Sequence, residues 1–307
     1  MNKTKRRPFK ADAWVHVYKR RKDKFLLFYT VRDFLVYYTQ LSCLAKKHNV
    51  RVLGVCIMVD HIHELLKADS KTSLANFEKE LNSRFALEWN EAHKTSGRVF
   101  GRFGSALKIG DKAKRTCISY LANNPVERHL CVRAESYPWN FLLRQPLIND
   151  LPDISENMHF LFKRVEALCR SGRFMTYQVL DNLVASLDNN EQKMLTSHII
   201  RTYDMIDRRA VTALYGSEDD MIIAINSNTG SEYDIPESFT GVSDAVYSKM
   251  RTELEKKYRV WNPSDVIHWD IDKKIAVVTE LMHKCAATLS QAAKYLHLEI
   301  VEEETFD

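Results

Sequence analysis

Residues 57–66 read IMVDHIHELL and contain two histidines, His61 and His63, with one residue between them. Aliphatic side chains alternate through residues 52–59, just before them, and such alternation is typical of a β-strand. Alternate residues of a strand point to one face, so we expect both imidazoles to project together, with Cα atoms roughly 6.5–7 Å apart. Two imidazoles on one face can bind one metal ion. The pair alone also fits an ordinary half-buried strand.

Outward from this strand, helical and strand-like patterns alternate through the first half of the chain. This order predicts the α+β class, with a sheet covered by helices. Pro125 disfavours helical geometry at the residue before it and predicts a break or a kink there. The predicted elements are strands over 13–18, 24–29 and 50–66, and helices over 34–49, 73–93 and 112–124.

Composition describes an ordinary globular protein. The chain has 307 residues, with 45% hydrophobic and 28% charged side chains, which is typical of soluble domains. No apolar run approaches the ~18 residues of a membrane span. The basic N-terminal residues are not followed by the apolar core of a signal peptide, so we expect none. The six cysteines are scattered, so we expect reduced thiols and a cytoplasmic location, without a membrane partner.

The charge is divided unevenly between the two halves. Residues 1–150 hold 28 Lys and Arg against 14 Asp and Glu, a net charge of +14, whereas the remainder has a net charge of −9. Such asymmetry predicts that the first half binds a polyanion, with nucleic acid favoured. Arginine and lysine bind phosphates and phenylalanine stacks on bases. The candidate nucleic-acid-binding residues are Arg6, Arg7, Arg98, Arg102, Phe103 and Lys108.

A tyrosine and an asparagine lie four residues apart in the predicted third helix, within Tyr120-Leu121-Ala122-Asn123-Asn124-Pro125-Val126. This spacing puts Tyr120 and Asn124 one turn apart on one face. A tyrosine can act as a nucleophile. The amide oxygen of an asparagine is a hard ligand that suits Mg²⁺ or Mn²⁺. Such pairs are common, and this one gains meaning only beside the histidines.

Taken in order, these motifs resemble the HUH superfamily of single-strand endonucleases, and within it the REP-associated tyrosine transposases. The resemblance runs from about Ala13 to Leu142. Besides the histidine and tyrosine motifs it includes Tyr137-Pro138-Trp139 and Phe100-Gly101-Arg102-Phe103. It implies a ferredoxin-like α/β sandwich with an antiparallel sheet, the HUH endonuclease fold, over residues 1–148.

The resemblance also implies the chemistry. His61, His63 and Asn124 would hold one Mg²⁺ or Mn²⁺, and Tyr120 would attack single-stranded, hairpin-bearing DNA to form a 5′-phosphotyrosine link. Two departures leave the ligand set open. Glu64 follows the second histidine where an apolar residue is usual, and Asn123 precedes Asn124, so either residue is an alternative ligand. Asp60 also stands where the family commonly has asparagine.

The second half, residues 149–307, has no counterpart in that family and reads as a mostly helical accessory domain. Residues 221–226 read as a short strand, and residues 275–298 as a degenerate helix-turn-helix with an acidic tail after it. The acidic half is expected to recruit a protein partner. We also expect a homodimer and association with a bacterial nucleoid.

Three functions remain open from the sequence. The first is an active transposase-like enzyme that nicks DNA and transfers strands. The second is a catalytically idle or domesticated nucleic-acid-binding protein that keeps the scaffold. The third is a nickase that uses the same site without joining strands.

Overall fold

The computed structural model describes residues 9–10, 13–140, 142, 154–227 and 242–300. Within these ranges the first half contains four strands and three helices, and it begins as a strand–helix–strand–strand–helix–strand unit. The elements are β1 (Trp14–Arg20), α1 (Val31–Lys47), β2 (Val50–Ile57), β3 (His61–Ala68), α2 (Lys71–Ala92), β4 (Gly104–Lys108) and α3 (Gly110–Glu127).

The four strands form one antiparallel sheet in the order β2-β3-β1-β4. Together with the element order, this is the ferredoxin-like arrangement, and it confirms the predicted α+β class. In this sheet β3 is central, and its His63 pairs with Cys56 of β2 and Tyr18 of β1. The single strand predicted over residues 50–66 is thus two paired strands, β2 and β3, joined by residues 58–60, and the histidine strand is held on both sides.

Two adjacent residues of β3 show which helices cover which face. The Tyr37 hydroxyl of α1 donates to the Glu64 carboxylate at 2.6 Å. The His63 ring instead packs against the Tyr120 ring of α3, with centroids 5.1 Å apart. Because successive strand residues point to opposite faces, α1 and α2 cover one face of the sheet and α3 covers the other.

Helix α3 continues through Pro125 to Glu127, so of the two predicted alternatives the break does not occur. Proline cannot donate a hydrogen bond to the preceding turn and crowds its carbonyls. The Asn140 side chain, which is buried, donates from Nδ2 to the carbonyl of Ala122 at 2.9 Å. This bond from outside the helix satisfies a carbonyl in the disturbed turn.

The segment over residues 24–29 is not a strand, which corrects another prediction. Its apolar side chains at Leu26, Leu27 and Phe28 are buried as a strand's would be. Its backbone does not form a ladder, however, because the N–H groups of Leu27 and Phe28 both donate to the carbonyl of Val59, each at 2.9 Å. The segment crosses the β2–β3 turn instead of running beside a strand.

The described part of the second half is helical, as predicted. Apart from one 3₁₀ segment, Pro263–His268, its regular elements are α-helices. The helices are α4 (Glu156–Arg170), α5 (Tyr177–Val184), α6 (Asn189–Thr202), α7 (Arg208–Thr212), α8 (Glu218–Asn226), α9 (Val246–Tyr258), α10 (Ile271–Cys285) and α11 (Leu289–Leu296).

Helix α8 occupies residues 221–226, where the sequence predicted a strand. The Ser217 hydroxyl caps its start by accepting from the N–H of Asp220 at 3.0 Å. Three acidic residues in its first turn interact favourably with the helix dipole. A short apolar run does not distinguish a strand from a buried helix, and the cap decides for the helix.

Apolar packing joins the two halves. One buried cluster extends from Trp14 to Ile225, and a second joins Leu26 and Tyr29 to side chains of α9, α10 and α11. The predicted boundary between residues 148 and 149 lies outside the described residues, so the division into two domains stays a prediction.

Helices α10 and α11 form the pair that the sequence indicated near residues 275–298. Tyr295 and Leu296 of α11 are buried, and the Tyr29 hydroxyl donates to the carbonyl of Tyr295 at 2.6 Å. DNA reading by this pair stays a prediction. All six cysteines are free thiols, and in the part of the chain described, no helix is long and apolar enough to cross a bilayer.

Candidate metal and tyrosine site

The two histidines of β3 share the face that α3 covers. Their ring centroids are 5.0 Å apart, and both side chains are buried, with His63 fully inaccessible. His61 and His63 lie on one face because they are alternate residues of a strand. The geometry is the one that the His-x-His spacing predicted.

Asn124 of α3 reaches both histidines. Its Oδ1 lies 3.2 Å from Nε2 of His61, and its Nδ2 lies 3.2 Å from Nε2 of His63. The alternative ligands point elsewhere. Asn123 donates to the carbonyl of Ile225 at 2.7 Å, and Glu64 faces α1 and α2. The structure therefore brings together the two histidines and Asn124, without Glu64 or Asn123.

Tyr120, one turn before Asn124, lies beside the same histidines. Its ring centroid is 5.1 Å from that of His63, and only 4% of the residue is exposed. A second phenol, Tyr18 of β1, lies equally close to His63 at 5.1 Å and is half-buried. Both tyrosines are candidates by proximity, and Tyr120 is the one that shares a helix face with Asn124.

His16 contacts the site and was missed by the sequence analysis. Its Nε2 lies 3.0 Å from Nδ1 of His63. No local signal could have found it, because His16 and His63 are 47 residues apart and meet only through the pairing of β1 with β3. Burial, helped by the charge of Lys108, lowers the pKa of His16 to about 3, so its imidazole is neutral.

The proton of His63 can be located from its neighbours. Burial, reinforced by the charges of His61, His16 and Arg128, lowers the pKa of His63 well below its usual value, so it is neutral. Asn124 Nδ2 can only donate, so Nε2 of His63 accepts from it. The proton therefore lies on Nδ1 and is donated to His16. The lone pair on Nε2 points towards Asn124, as metal binding requires.

Asp60 holds the other histidine. Its Oδ1 lies 2.6 Å from Nδ1 of His61, and a carboxylate accepts only, so this nitrogen donates. Burial of Asp60 opposes its ionisation, but attraction to His61 and Lys294 outweighs burial and keeps the pKa of Asp60 below its usual range. In a neutral His61 the lone pair on Nε2 then faces the Asn124 oxygen at 3.2 Å.

Two acceptors facing each other at this distance repel unless a cation lies between them. A proton on His61 or a metal ion would relieve the repulsion. Neighbouring ligands of an octahedral ion with bonds of about 2.1 Å lie about 3 Å apart, close to the 3.2 Å seen here. Among the described residues no group of three or more His, Cys, Asp and Glu side chains could hold a metal. The fit therefore depends on the amide of Asn124.

The candidate nucleic-acid-binding residues follow the edge of the sheet. Arg98 and Arg102 are exposed, while Phe103 and Lys108 are half-buried. Lys108 is the last residue of β4, the edge strand beside β1, and its charge acts on His16. Arg6 and Arg7 lie outside the described residues. Of the basic candidates that the structure describes, Lys108 is the one shown to act on a residue of the histidine site.

Two histidines, an asparagine and a tyrosine thus lie together on one face of a ferredoxin-like sheet. Residues 11–124 match the family described as "Transposase IS200 like". This part of the chain is therefore similar to the IS200-like transposases, a similarity that supports a transposase-like role.

One solved structure gives a distant likeness. "Structure of the REP associates tyrosine transposase bound to a REP hairpin" is 15% identical, with 50% of this chain and 96% of that chain covered and a TM-score of 0.38. A comparison with curated proteins finds no match.

Proposed function

We propose that this chain is a metal-dependent single-stranded DNA endonuclease and strand transferase that forms a 5′-phosphotyrosine intermediate. The observation that carries the proposal is the convergence of the two Nε2 atoms on the Asn124 amide, each at 3.2 Å, with the Tyr120 ring against His63. His61, His63 and Asn124 would hold Mg²⁺ or Mn²⁺. When bound, the ion would neutralise charge on the scissile phosphate.

The reaction assigned to Tyr120 is an exchange of phosphodiester bonds. Its phenolic oxygen attacks phosphorus, the bond from phosphorus to the 3′ oxygen breaks, and the phenolic proton ends on the departing 3′-hydroxyl. The phosphotyrosine link conserves the energy of the phosphodiester. A second 3′-hydroxyl can therefore reverse the step and join a new strand without ATP.

The proposed substrate is single-stranded or hairpin DNA. The net charge of +14 on residues 1–150 supports a polyanionic partner, and Arg98 and Arg102, in the segment before β4, are exposed. A homodimer, a protein partner for the acidic half and association with a bacterial nucleoid belong to the same proposal.

The experiment is a covalent-adduct assay. Labelled hairpin-bearing single strands are incubated with the full chain and Mg²⁺ or Mn²⁺ and resolved on denaturing gels. We expect an adduct with the wild type and with Tyr18→Phe, and none with Tyr120→Phe. Tyr18→Phe is a matched control because both phenols lie 5.1 Å from the His63 ring. An adduct that persists in Tyr120→Phe contradicts the proposal.

The burial of the reacting groups favours a second candidate function. Tyr120 is 4% exposed and His61 is 3% exposed, so a DNA strand cannot reach them without a movement of the protein. The second candidate is a nucleic-acid-binding protein that keeps the scaffold without the reaction. It predicts salt-sensitive DNA binding with no adduct under any metal condition, and binding that survives both Tyr120→Phe and His61→Ala.

A further inference from the structure

An ion pair links the described part of the second half to the histidine site. Nζ of Lys294, in α11, lies 2.6 Å from Oδ2 of Asp60, while the other oxygen of the same carboxylate lies 2.6 Å from Nδ1 of His61. The Asp60 carboxylate thus bridges a lysine from the end of the chain to the first histidine of the pair.

We propose that Asp60 is a positioning residue for His61 and that Lys294 holds Asp60 in this role, so that the second half of the chain completes the site. The role in metal binding rests on the function proposed above. The role in placing the imidazole proton does not depend on it.

The position of Lys294 is set by hydrogen bonds around it. Within residues 26–29, the first N–H donates to the carbonyl of Lys294 at 3.2 Å, and the next two donate to the carbonyl of Val59, each at 2.9 Å. The Tyr29 hydroxyl donates to the carbonyl of Tyr295 at 2.6 Å. This segment therefore ties α11 to the residue directly before Asp60.

Both partners of the carboxylate are needed to fix its orientation. The side chains of Asp60 and Lys294 are 15% and 25% exposed, so water competes little for either. With one oxygen occupied by the ammonium group, the other stays directed at Nδ1 of His61. A fixed acceptor at Nδ1 keeps the proton there and leaves Nε2 for the cation, as carboxylates beside metal-bound histidines commonly do.

The first test needs no metal. Long-range ¹H–¹⁵N NMR of the full chain with labelled histidine reports which ring nitrogen carries the proton. At a pH where His61 is neutral, we expect the wild type and Lys294→Arg to show protonated Nδ1 at His61. Lys294→Met and Asp60→Ala should show a mixture of the two tautomers. An unchanged His61 signal in both variants overturns the proposal.

The second test uses Mn²⁺ alone, with titration calorimetry on the full chain. We expect Asp60→Ala to bind Mn²⁺ about 10–100-fold more weakly than the wild type. Lys294→Met should also bind Mn²⁺ more weakly, whereas Lys294→Arg should keep the affinity of the wild type. The matched control is Lys257→Met, which removes another lysine paired at 2.6 Å, to Glu280 on α10. Circular dichroism melting confirms that each variant is folded.

The outcomes separate the two proposals. If the wild type binds Mn²⁺ and His61→Ala does not, but Asp60→Ala and Lys294→Met bind like the wild type, this inference fails and the metal site stands. If the wild type itself does not bind Mn²⁺, the proposed metal function fails, and the metal part of this inference fails with it.

Discussion

Replacement of Lys19 by methionine should strongly destabilise the fold. Nζ of Lys19 lies 2.9 Å from Oε2 of Glu64 and 3.0 Å from Oε2 of Glu78, and all three side chains are fully buried. The two carboxylates raise the pKa of Lys19 against the effect of its burial, so the ammonium group stays charged. Methionine keeps an unbranched apolar side chain, one atom shorter, and removes the cation.

The magnitude follows from what remains after the substitution. Burial, opposed by Lys19 and reinforced by the charge of Glu64, raises the pKa of Glu78 to about 8. Glu78 therefore carries a proton at pH 7, and Glu64 is the carboxylate left without its cation. Breaking one buried ion pair costs about 3–5 kcal/mol, a large part of the roughly 5–15 kcal/mol that stabilises a typical protein.

Urea unfolding of the full chain, followed by circular dichroism at pH 7, measures this loss. The matched control is Lys47→Met on α1. The side chain of Lys47 is 56% exposed, and its Nζ lies 2.7 Å from Glu80. Exposed pairs contribute about 1 kcal/mol or less. The double variant Lys19→Met/Glu64→Gln should recover part of the loss. If Lys19→Met shifts the transition no more than Lys47→Met, the ionic description of this cluster is refuted.

Three further predictions concern single contacts. The raised pKa of Glu78, about 8 against a usual 4.5, means that the folded state retains a proton that the unfolded state releases. Stability should therefore fall as pH rises from about 4.5 to about 8, and this fall should be absent in Glu78→Gln when urea midpoints are compared across that range. Tyr29→Phe leaves the buried carbonyl of Tyr295 without its 2.6 Å donor and should cost about 1–3 kcal/mol, measured by the same unfolding; an unchanged midpoint would show that water or another donor replaces it. His16→Ala removes the acceptor at Nδ1 of His63 and should weaken Mn²⁺ binding about 10–100-fold in calorimetry, whereas wild-type affinity would show that His63 needs no partner there.

Two of the predictions from sequence failed where contacts distant in the chain are made. The break expected at Pro125 did not occur, and Asn140, from outside the helix, donates to the carbonyl of Ala122 in the disturbed turn. The strand expected over residues 24–29 lacks a ladder, because its N–H groups meet the carbonyls of Val59 and Lys294. In both cases the hydrogen-bond partner lies farther along the chain than the stretch of residues over which a periodic pattern is read.

Glu64 combines a local signal with a distant one. Its position beside His63 made it a candidate ligand, yet the strand alternation that joins His61 to His63 sends Glu64 to the opposite face. There it meets Lys19, and the sequence contains no local sign of that buried pair. The departure from the apolar residue usual in the family is thus explained by a partner on β1.

Local periodicity was enough to show which side chains share a face. Strand alternation pairs His61 with His63, and the helical turn pairs Tyr120 with Asn124, because both repeats are properties of a few neighbouring residues. Packing, in contrast, determines which nitrogen of each imidazole keeps its lone pair for a cation. His16 is 47 residues from His63, and Lys294 is 234 residues from Asp60, so these partners meet only when the sheet pairs and the last helix packs against it.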